Sequence, residues 1–429
     1  MLKDLMIKFK KNIELKNAGW LIGGKIARMV INLIVGLLTA RYLGPSNYGL
    51  VNYGAAYVAF FSSLCTLGIN SVIVKDFVDH PDEQGEAIGT SLVLRLLSSI
   101  LSVVFITAFV NIVDGNEEIT IIVVMLCSLS LVFHAFDTIN YWFQYKYLAK
   151  VTAIATFWAY FGTAVYKVIL LILEKDVRWF AFATSVDYIV LAVLLIAAYK
   201  KHNGPKISFS KKKAKELLSK SYHYILSGMM VAIYGQTDKF MLKQMLSEVE
   251  VGFYSTATTI CGMWTFVLVA IIDAMYPTIL RLYDKDKQAF ERKNRQLYAI
   301  VFYISVGISV FFTLFGEIII KILYGNEYLL AVNPLRIVTW YTAFSYLGVA
   351  RNAWIVCENK QKYLKYMYFC AAILNVALNV VFIPWMGASG AAFASLITQI
   401  FTSIILPLCF KEMNANARLM IDAICLKIH

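Results

Sequence analysis

The sequence predicts an all-α integral membrane protein with twelve transmembrane helices in two pseudo-symmetric six-helix lobes. Its 429 residues are 59% hydrophobic and 16% charged, whereas a soluble domain has about 25% charged residues. The apolar residues cluster in runs of about 20, the length that one helix needs to cross a bilayer. The longest loop, residues 200–221, separates two stretches of similar length.

Twelve apolar runs of spanning length follow each other along the chain. Six precede the long loop, near residues 19–40, 48–70, 87–110, 118–141, 151–173 and 178–199. Six follow it, near residues 222–246, 251–276, 297–320, 332–356, 363–384 and 388–410. We therefore predict a basic N-terminus (1–18), a first lobe (19–199), a basic linker (200–221), a second lobe (222–410) and a tail (411–429).

A short sequence echo between the two halves supports an internal repeat. The segments LGPSNYGLVNY (43–53) and LSEVEVGFYST (246–256) lead into the second and eighth predicted helices. In both segments a Leu is followed six residues later by Gly and then by Tyr within four residues. Because the two segments occupy corresponding positions, we predict a transporter fold built from repeated halves.

Basic residues are unevenly distributed among the predicted loops. The net charge is +13, but most Lys and Arg residues lie at the N-terminus, in alternate loops and in the tail. This distribution indicates membrane topology rather than nucleic-acid binding, and it predicts that both termini are cytoplasmic. The opposite loops hold only Arg41, Lys175, Arg178, Lys243 and Lys321.

The basic linker leaves two interpretations open. Ser210 is placed to cap a short helix, whose Lys residues would then lie against anionic membrane lipids. Alternatively, the linker is a solvated basic segment.

Two cations lie inside the first predicted helix. Counted from Trp20 at ~1.5 Å per residue, Lys25 lies about 8 Å and Arg28 about 12 Å deep. Lys25 can extend back to the interface, whereas Arg28 is too close to the midplane to do so easily. Lys25 and Arg28 continue through Asn32, Gly36 and Thr39 as one polar or small stripe, which predicts a face toward a cavity.

Further intramembrane cations fall in the same cytoplasmic half. Arg95 lies about 12 Å deep in the third predicted helix and Arg351 about 10 Å deep in the tenth. The bland alternative is that each cation pairs with an intramembrane acid or caps carbonyl groups. The candidate acids are fewer and lie at different depths: Asp137, Asp187, Asp238 and Asp273. We therefore predict a cationic cavity that binds an anion such as phosphate or pyrophosphate.

Enzyme motifs are absent from the sequence. It contains no Walker A sequence, no HExxH motif and no paired Cys/His metal spacing, and its predicted external loops are short. We therefore predict a transporter with no catalytic residues, no metal and no cofactor.

Five stretches, in order along the chain, resemble the polysaccharide flippase family of the MATE-like superfamily, which includes exporters of O-antigen and capsule repeat units. They are ARYLGPSNYG (40–49), TLGINSVIVKDF (66–77), NYWFQYKYLAK (140–150), TDKFMLKQMLSEVEVGFYSTA (237–257) and NKQKYLKYMYFCAAILNVALNVVFIPWMGASGAAFASLITQ (359–399). Together they span almost the whole chain. The resemblance implies a MATE-like fold in the bacterial cytoplasmic membrane.

The resemblance also implies a substrate and a mechanism. Members translocate undecaprenyl-pyrophosphate-linked oligosaccharide repeat units to the outer leaflet by alternating access between two lobes, for surface polysaccharide biosynthesis. The pyrophosphate would then be bound by the intramembrane cations, namely Lys25, Arg28, Arg95 and Arg351. Besides the lipid-linked glycan and anionic lipids, a polysaccharide polymerase and glycosyltransferases are expected partners.

If the chain is such a flippase, two further sets of residues are candidates, one for sugar contacts and one for ion coupling. Asn32, Asn375 and Asn379 can contact sugar, although Asn on the eleventh predicted helix can equally serve helix packing. Coupling to protons or sodium would need an intramembrane carboxylate, and the candidates are Asp187, Asp238 and Asp273.

Two other functions remain open at the level of the sequence. An ion-coupled multidrug exporter of the same superfamily would place acids rather than cations in its cavity, because drugs are usually cationic. A membrane polymerase or ligase of lipid-linked glycans would need an external loop able to arrange its substrates, and no predicted loop is long enough.

Overall fold

The computed structural model describes residues 13–115 and 117–427, except for the side chains of residues 13–22, 24–27, 226 and 227. All regular structure in these ranges is helical. Nine helical segments of the described chain are long and apolar enough to cross a membrane. The predictions of an all-α fold and of a multi-pass membrane protein are therefore confirmed, while the count of twelve spans in two lobes stays a prediction.

The first half of the chain forms eight α-helices, joined in part by short 3-10 turns. They are α1 (Ile13–Thr66), α2 (Ile73–Asp79), α3 (Gln84–Val113), α4 (Glu118–Ser128), α5 (Ser130–His134), α6 (Thr138–Tyr145), α7 (Ala149–Ile172) and α8 (Val177–Lys201). The turns at Ile69–Ser71, Pro81–Glu83 and Ala135–Asp137 are 3-10 helices.

The second half of the chain adds ten α-helices. They are α9 (Lys211–Met245), α10 (Glu248–Gly262), α11 (Thr265–Tyr283), α12 (Lys287–Leu323), α13 (Val332–Ala350), α14 (Asn352–Cys357), α15 (Lys362–Met386), α16 (Ala388–Ile400), α17 (Leu406–Cys409) and α18 (Asn414–Ile424). A 3-10 turn, Asn326–Ala331, precedes α13, and a π-helical turn, Phe401–Ile405, joins α16 to α17.

The first two predicted helices are one continuous element, α1, with a kink between them. Gly44 has a φ of 66° and a ψ of 173°, a conformation that glycine adopts without the steric cost of a Cβ atom. Pro45 follows and lacks the N–H group that a regular helix would need at this point. A two-residue kink therefore replaces the loop expected after residue 40.

Several other predicted spans differ from the helices of the structure, including the fourth, which is divided among α4, α5 and α6. The seventh begins earlier, at Lys211, because the basic residues of the predicted linker continue the helix as α9. The eighth is divided between α10 and α11 at Gly262–Thr265, and the tenth is divided between α13 and α14 at Arg351. Neither α9, α10 nor α13 is among the nine apolar segments of the described chain.

The described chain forms two compact units, and their boundary lies inside a helix. One unit contains Met1–Leu43 and Leu50–Ala232, and the other contains Gly44–Gly49 and Ile233–His429. The sequence placed the division in the linker at 200–221, but the contacts place it within α9, after Ala232. The linker thus packs as part of the first unit.

The linker is held against the N-terminal end of α3. The Ser208 N–H donates to the carbonyl of Gly85 at 3.2 Å, and a Cβ atom on Gly85 would collide with the carbonyl of Lys206. The hydroxyl of Ser210 accepts from the Lys213 N–H at 3.3 Å. The prediction that Ser210 caps a helix is therefore confirmed, although that helix is the long α9. Most linker side chains are exposed, and their contact with anionic lipids stays a prediction.

Lys213 anchors the start of α9 through a cage of three carboxylates. Its side chain is 2% exposed, and its Nζ lies 3.4 Å from Asp76, 2.6 Å from Glu83 and 3.4 Å from Glu216. Burial alone would lower the pKa of Lys213, but the hydrogen bond with Glu83 and the charges of Asp76 and Glu216 outweigh it and raise that pKa. The ammonium therefore stays charged, and its contribution to stability is lost only as the pH rises through the raised value.

The Lys213 ammonium lies beside three residues that could together hold a metal ion. Asp76, His80 and Glu216 bring potential ligand atoms within 4.8 Å of one another. Since Lys213 forms ion pairs with two of these residues, a cation of the chain itself already neutralises the cluster.

The two echo segments contact each other within the second unit. A Cβ atom on Gly49 would collide with the carbonyl of Glu248, and a Cβ atom on Gly252 would collide with the carbonyl of Pro45. The hydroxyl of Ser46 also donates to the Glu248 carboxylate at 3.0 Å. The contact is reciprocal, as in an isologous interface. The glycine of each segment lies against a carbonyl of the other segment, and that carbonyl belongs to the residue four positions before the other segment's glycine.

Candidate functional site

A polar cluster in the first unit contains Arg28 and Asp187. The Arg28 guanidinium, on α1, lies 3.8 Å from the centre of the Tyr160 ring on α7. Asp187, on α8, interacts electrostatically with Arg28 and with Lys167. Tyr160 and Lys167 are seven residues apart and therefore lie on the same face of α7.

This cluster is only partly satisfied. Arg28 is exposed, so it can reach a ligand although it also interacts with Tyr160 and Asp187. The Oδ1 atom of Asp187 is buried and accepts no hydrogen bond from the described residues. The neighbouring residue, Tyr188, packs its ring against His134 at 5.0 Å. Arg28 thus lies beside polar side chains on α7 and α8, and Asp187 is one of them.

Arg95 has a different role from Arg28. It is 1% exposed and lies beside the break between α5 and α6. Its guanidinium donates to the Thr138 hydroxyl at 2.8 Å and to the His134 carbonyl at 3.0 Å, and the charge of Asp137 lies nearby. These bonds hold carbonyl and hydroxyl groups at the helix break, as the bland alternative supposed, so Arg95 is engaged with the protein.

Arg351 is also buried at a helix break, but in the second unit. It is 6% exposed and lies at the junction of α13 and α14. Its Nη1 donates to the carbonyl of Thr402 at 3.3 Å, in the π-helical turn. The four predicted pyrophosphate ligands are therefore not equivalent: Arg28 is exposed, Arg95 and Arg351 are buried against backbone carbonyls, and the side chain of Lys25 lies outside the described residues.

The second unit contains a buried carboxylate with four neutral donors. Asp238, on α9, is 7% exposed. Its Oδ1 accepts from the side-chain amides of Asn375 at 3.2 Å and Asn379 at 2.7 Å. Its Oδ2 accepts from the hydroxyl of Ser395 at 2.7 Å and from that of Tyr254. We call these five residues the Asp238 cluster.

Three sequence-predicted candidates meet in the Asp238 cluster. Asn375 and Asn379 are four residues apart on α15, so both side chains reach the same carboxylate. Their amide donors are directed at Asp238, which places them in a carboxylate site rather than at a free sugar-binding surface. The sequence analysis missed Tyr254 and Ser395, although Tyr254 belongs to the echo segment, which was a signal.

A cavity of about 340 Å³ adjoins the Asp238 cluster in the second unit. Asp238, Tyr254 and Ser395 belong to its lining together with Lys239. Lys239 lies within electrostatic range of Asp238, so the cavity contains charges of both signs.

Two predicted residues lie elsewhere. Asn32 is exposed on α1, one turn before Gly36, in keeping with the polar stripe. Asp273 is exposed on α11 and does not line the cavity. Of the three candidate coupling acids, the structure thus gives buried polar surroundings to Asp187 and Asp238.

Comparisons with known proteins identify the family of the chain. A family model described as "Polysaccharide biosynthesis protein" matches residues 15–283, and the MatE model matches residues 224–381. The capsular polysaccharide biosynthesis protein CapF of Staphylococcus aureus is 23% identical over 407 residues, which cover 91% of this chain and 97% of CapF. A putative O-antigen transporter of Shigella flexneri is 23% identical over 430 residues, covering 93% and 98% of the two chains.

A solved structure has the same fold. The lipid II flippase MurJ, in an inward closed conformation, gives a TM-score of 0.71 at 14% identity and covers 94% of this chain and 91% of its own. This similarity is one of fold, and the prediction of a transporter rather than an enzyme is confirmed by the family model and the O-antigen transporter relative. The chain belongs to the polysaccharide biosynthesis protein family, and the resemblance seen in the sequence is confirmed.

Proposed function

We propose that the chain is a flippase that moves undecaprenyl-pyrophosphate-linked oligosaccharide repeat units from the inner to the outer leaflet of the cytoplasmic membrane. The names of its relatives connect it with capsule and O-antigen production, and the fold is shared with a lipid II flippase. The observation that carries the proposal is the exposed guanidinium of Arg28 within a membrane-spanning helix.

Arg28 binds the pyrophosphate in this proposal. Guanidinium groups form paired, charge-assisted hydrogen bonds with phosphate oxygens, and a pyrophosphate removed from water without such partners would be very unstable. Tyr160 supports the guanidinium from one side. Lys25, one turn earlier on α1, adds a second charge, whereas Arg95 and Arg351 act by fixing the helix breaks that they contact.

The transport cycle would need a coupling ion, and the Asp238 cluster is the strongest site for it. A buried carboxylate among amide and hydroxyl groups can take up a proton or exchange its protein donors for a sodium ion. Asp187 is a second candidate because one of its oxygens has no hydrogen-bond partner in the described chain. Alternating access between two six-helix lobes, with both termini cytoplasmic, completes the proposal.

Substitution of Arg28 tests the proposed function. Arg28→Ala should reduce surface glycan at least tenfold in a strain whose own flippase gene is deleted, and Arg28→Lys should restore part of it because the charge remains. Lys201→Ala, which removes an exposed cation at the end of α8, should leave export unchanged. Normal surface glycan with Arg28→Ala, at equal membrane abundance, would rule out this role.

A multidrug exporter is the second candidate, because the MatE model matches residues 224–381. If the chain is a multidrug exporter, cells that express the unaltered chain should be more resistant to cationic drugs and dyes. Resistance without any restoration of surface glycan would favour the exporter over the flippase.

A further inference from the structure

The cavity beside the Asp238 cluster is lined mainly by side chains that carry hydroxyl groups. Four of its residues are tyrosines, namely Tyr234, Tyr254, Tyr341 and Tyr346, and five are Thr or Ser: Thr258, Thr265, Thr342, Ser345 and Ser395. Its volume of about 340 Å³ falls within the ~300–1,000 Å³ of small-molecule sites. We call it the tyrosine cavity.

The hydroxyl groups of this cavity are arranged to accept hydrogen bonds from a ligand. Thr258, Thr265 and Thr342 each donate to a carbonyl of the preceding turn, at 3.1, 2.9 and 3.0 Å. A hydroxyl that has donated its proton keeps oxygen lone pairs that can accept. The lining therefore offers several acceptors, with the tyrosine rings as flat apolar surfaces between them.

The charges of the cavity argue against a cationic ligand. Both oxygens of Asp238 already accept two hydrogen bonds each, from Asn375 and Asn379 and from Tyr254 and Ser395. A carboxylate has about four acceptor positions, so a guest can bind Asp238 only by displacing one of these protein donors. Lys239 adds an ammonium group to the lining, which repels cations and can donate to ligand oxygens.

From this lining we infer that the tyrosine cavity is a saccharide subsite, which holds one sugar ring of the transported glycan. A sugar ring presents hydroxyl donors for the threonine oxygens, hydroxyl acceptors for Lys239 and apolar C–H faces for the tyrosine rings. This inference rests on the proposed flippase function and adds to it the part of the second unit that contacts the glycan.

Occupancy of this subsite is linked to the Asp238 cluster through shared residues. Tyr254 and Ser395 line the cavity and also donate to Asp238. A sugar hydroxyl that draws either group away would leave Asp238 with fewer donors, so that the carboxylate would bind a proton or cation more readily. Sugar and ion binding at this place would then be coupled with positive sign.

Two glycines allow the cavity to be filled without disturbing the protein around it. Gly235 and Gly262 line the cavity, and a Cβ atom on either would meet no atom within 4 Å. Gly307, on α12, has equally open surroundings but does not line the cavity. Gly235→Leu and Gly262→Leu therefore fill the cavity, and Gly307→Leu is the matched control.

The test uses purified full-length protein in lipid nanodiscs with glucose and N-acetylglucosamine as probes, each detected by saturation-transfer NMR. We expect both sugars to give signals with the unaltered chain and with Gly307→Leu, and binding at least tenfold weaker with both cavity-filling variants. Should a leucine variant fail to give monodisperse protein, Tyr346→Leu, which removes one ring face, replaces it with the same expectation.

Several results would overturn the inference. They are no sugar signal from the unaltered chain, sugar binding that persists in either filled variant, and binding of ethidium in place of sugar. The measurement needs no export, so its failure is distinct from failure of the flippase proposal. A chain that binds sugar here but restores no surface glycan would keep the subsite and lose the proposed function.

Discussion

The contacts of single residues distinguish two kinds of intramembrane cation. One kind stabilises the fold, and the other is exposed to a ligand. Arg95 is fully surrounded, and two of its donors are used by Thr138 and His134. Arg28 has an aromatic ring on one side and is exposed elsewhere. Removing one partner of a buried charged contact is strongly destabilising, so substitution of Arg95 should cost more stability than substitution of Arg28.

Arg95→Met should lower the melting temperature of the purified protein, because it leaves the His134 carbonyl and the Thr138 hydroxyl without their donor, at a cost of about 1–3 kcal/mol for each group. Arg28→Met should lower the melting temperature less, because Arg28 is exposed and the carboxylate of Asp187 keeps Lys167 as a charged neighbour. Differential scanning fluorimetry in detergent compares the two variants directly. Equal melting temperatures would contradict the distinction.

Asp238 offers a second test at this scale. Asp238→Ala removes an acceptor from two buried asparagine amides, so we expect a loss of about 2–6 kcal/mol in stability, given ~1–3 kcal/mol for each buried unsatisfied group. Asp238→Asn should be much milder in stability, because the hydroxyls of Tyr254 and Ser395 can turn and accept from the new amide. It should nevertheless stop ion-coupled export, because the charge is gone.

Thermal unfolding and the glycan export assay separate these effects. An Asp238→Asn protein that is as unstable as Asp238→Ala would show that the charge itself holds the cluster. Normal export by Asp238→Asn would exclude Asp238 as the coupling group.

The residues of this site show how far the sequence leads. Asp238, Asn375 and Asn379 stood out individually as polar residues in apolar segments, and the spacing of the two asparagines placed them on one face of a helix. Their meeting with Asp238 could not be predicted, because it joins positions 137 and 141 residues apart. Such contacts depend on helix packing, for which periodicity carries no information.

At the scale of elements, the reciprocal contact of Gly49 with Glu248 and of Gly252 with Pro45 fixes how closely two helix starts approach. Only glycine permits a carbonyl to lie against the helix axis at these positions. The sequence echo predicted a repeat from spacing alone, and the contact explains why the glycine occurs in both copies.

Gly49→Ala and Gly252→Ala should each destabilise the protein by about 1–3 kcal/mol, as overpacking does. The double variant should lose less than the sum, because the first Cβ atom already separates the two segments. Gly307→Ala, which meets no atom within 4 Å, is the control for added bulk. Additive losses in thermal unfolding would show that the two glycines act independently.

The linker is the second element whose role follows from its contacts. Lys213→Met leaves Asp76, with its side chain 2% exposed, without its ammonium, and we expect a loss of about 3–5 kcal/mol as for other broken buried pairs. The linker should then be cleaved by trypsin at least tenfold faster at Lys206 and Lys211. Lys212→Met also removes one trypsin site but alters an exposed side chain, so its cleavage rate should match that of the unaltered chain.

At the scale of the whole molecule, composition predicts the class of protein, but it does not predict where the helices begin, break and end. Runs of apolar residues predict membrane helices because the bilayer imposes one length on all of them. The kink at Gly44, the break at Arg351 and the extension of α9 to Lys211 depend instead on local backbone geometry and tertiary contacts. For this reason the helices were foreseen more accurately than their ends.

The proposed orientation can be tested on the intact chain. Green fluorescent protein fused after His429 should fluoresce, because both termini are proposed to be cytoplasmic. Alkaline phosphatase fused after Asn326, in the turn before α13, should be active on the outer side. The reverse pattern would exclude this topology.

The carboxylate cage around Lys213 has a consequence for the synthesis of the chain. Asp76 leaves the ribosome 137 residues before the lysine that pairs with it, so the contacts at this end of the first unit cannot form until the linker has been made. A fragment that stops at residue 199, where the apolar sequence suggests a natural end, would lack this lysine and also the Ser208 bond to Gly85. We therefore expect a fragment of the first half to need the start of α9 for these contacts, and a newly made chain to lack them until that helix has begun.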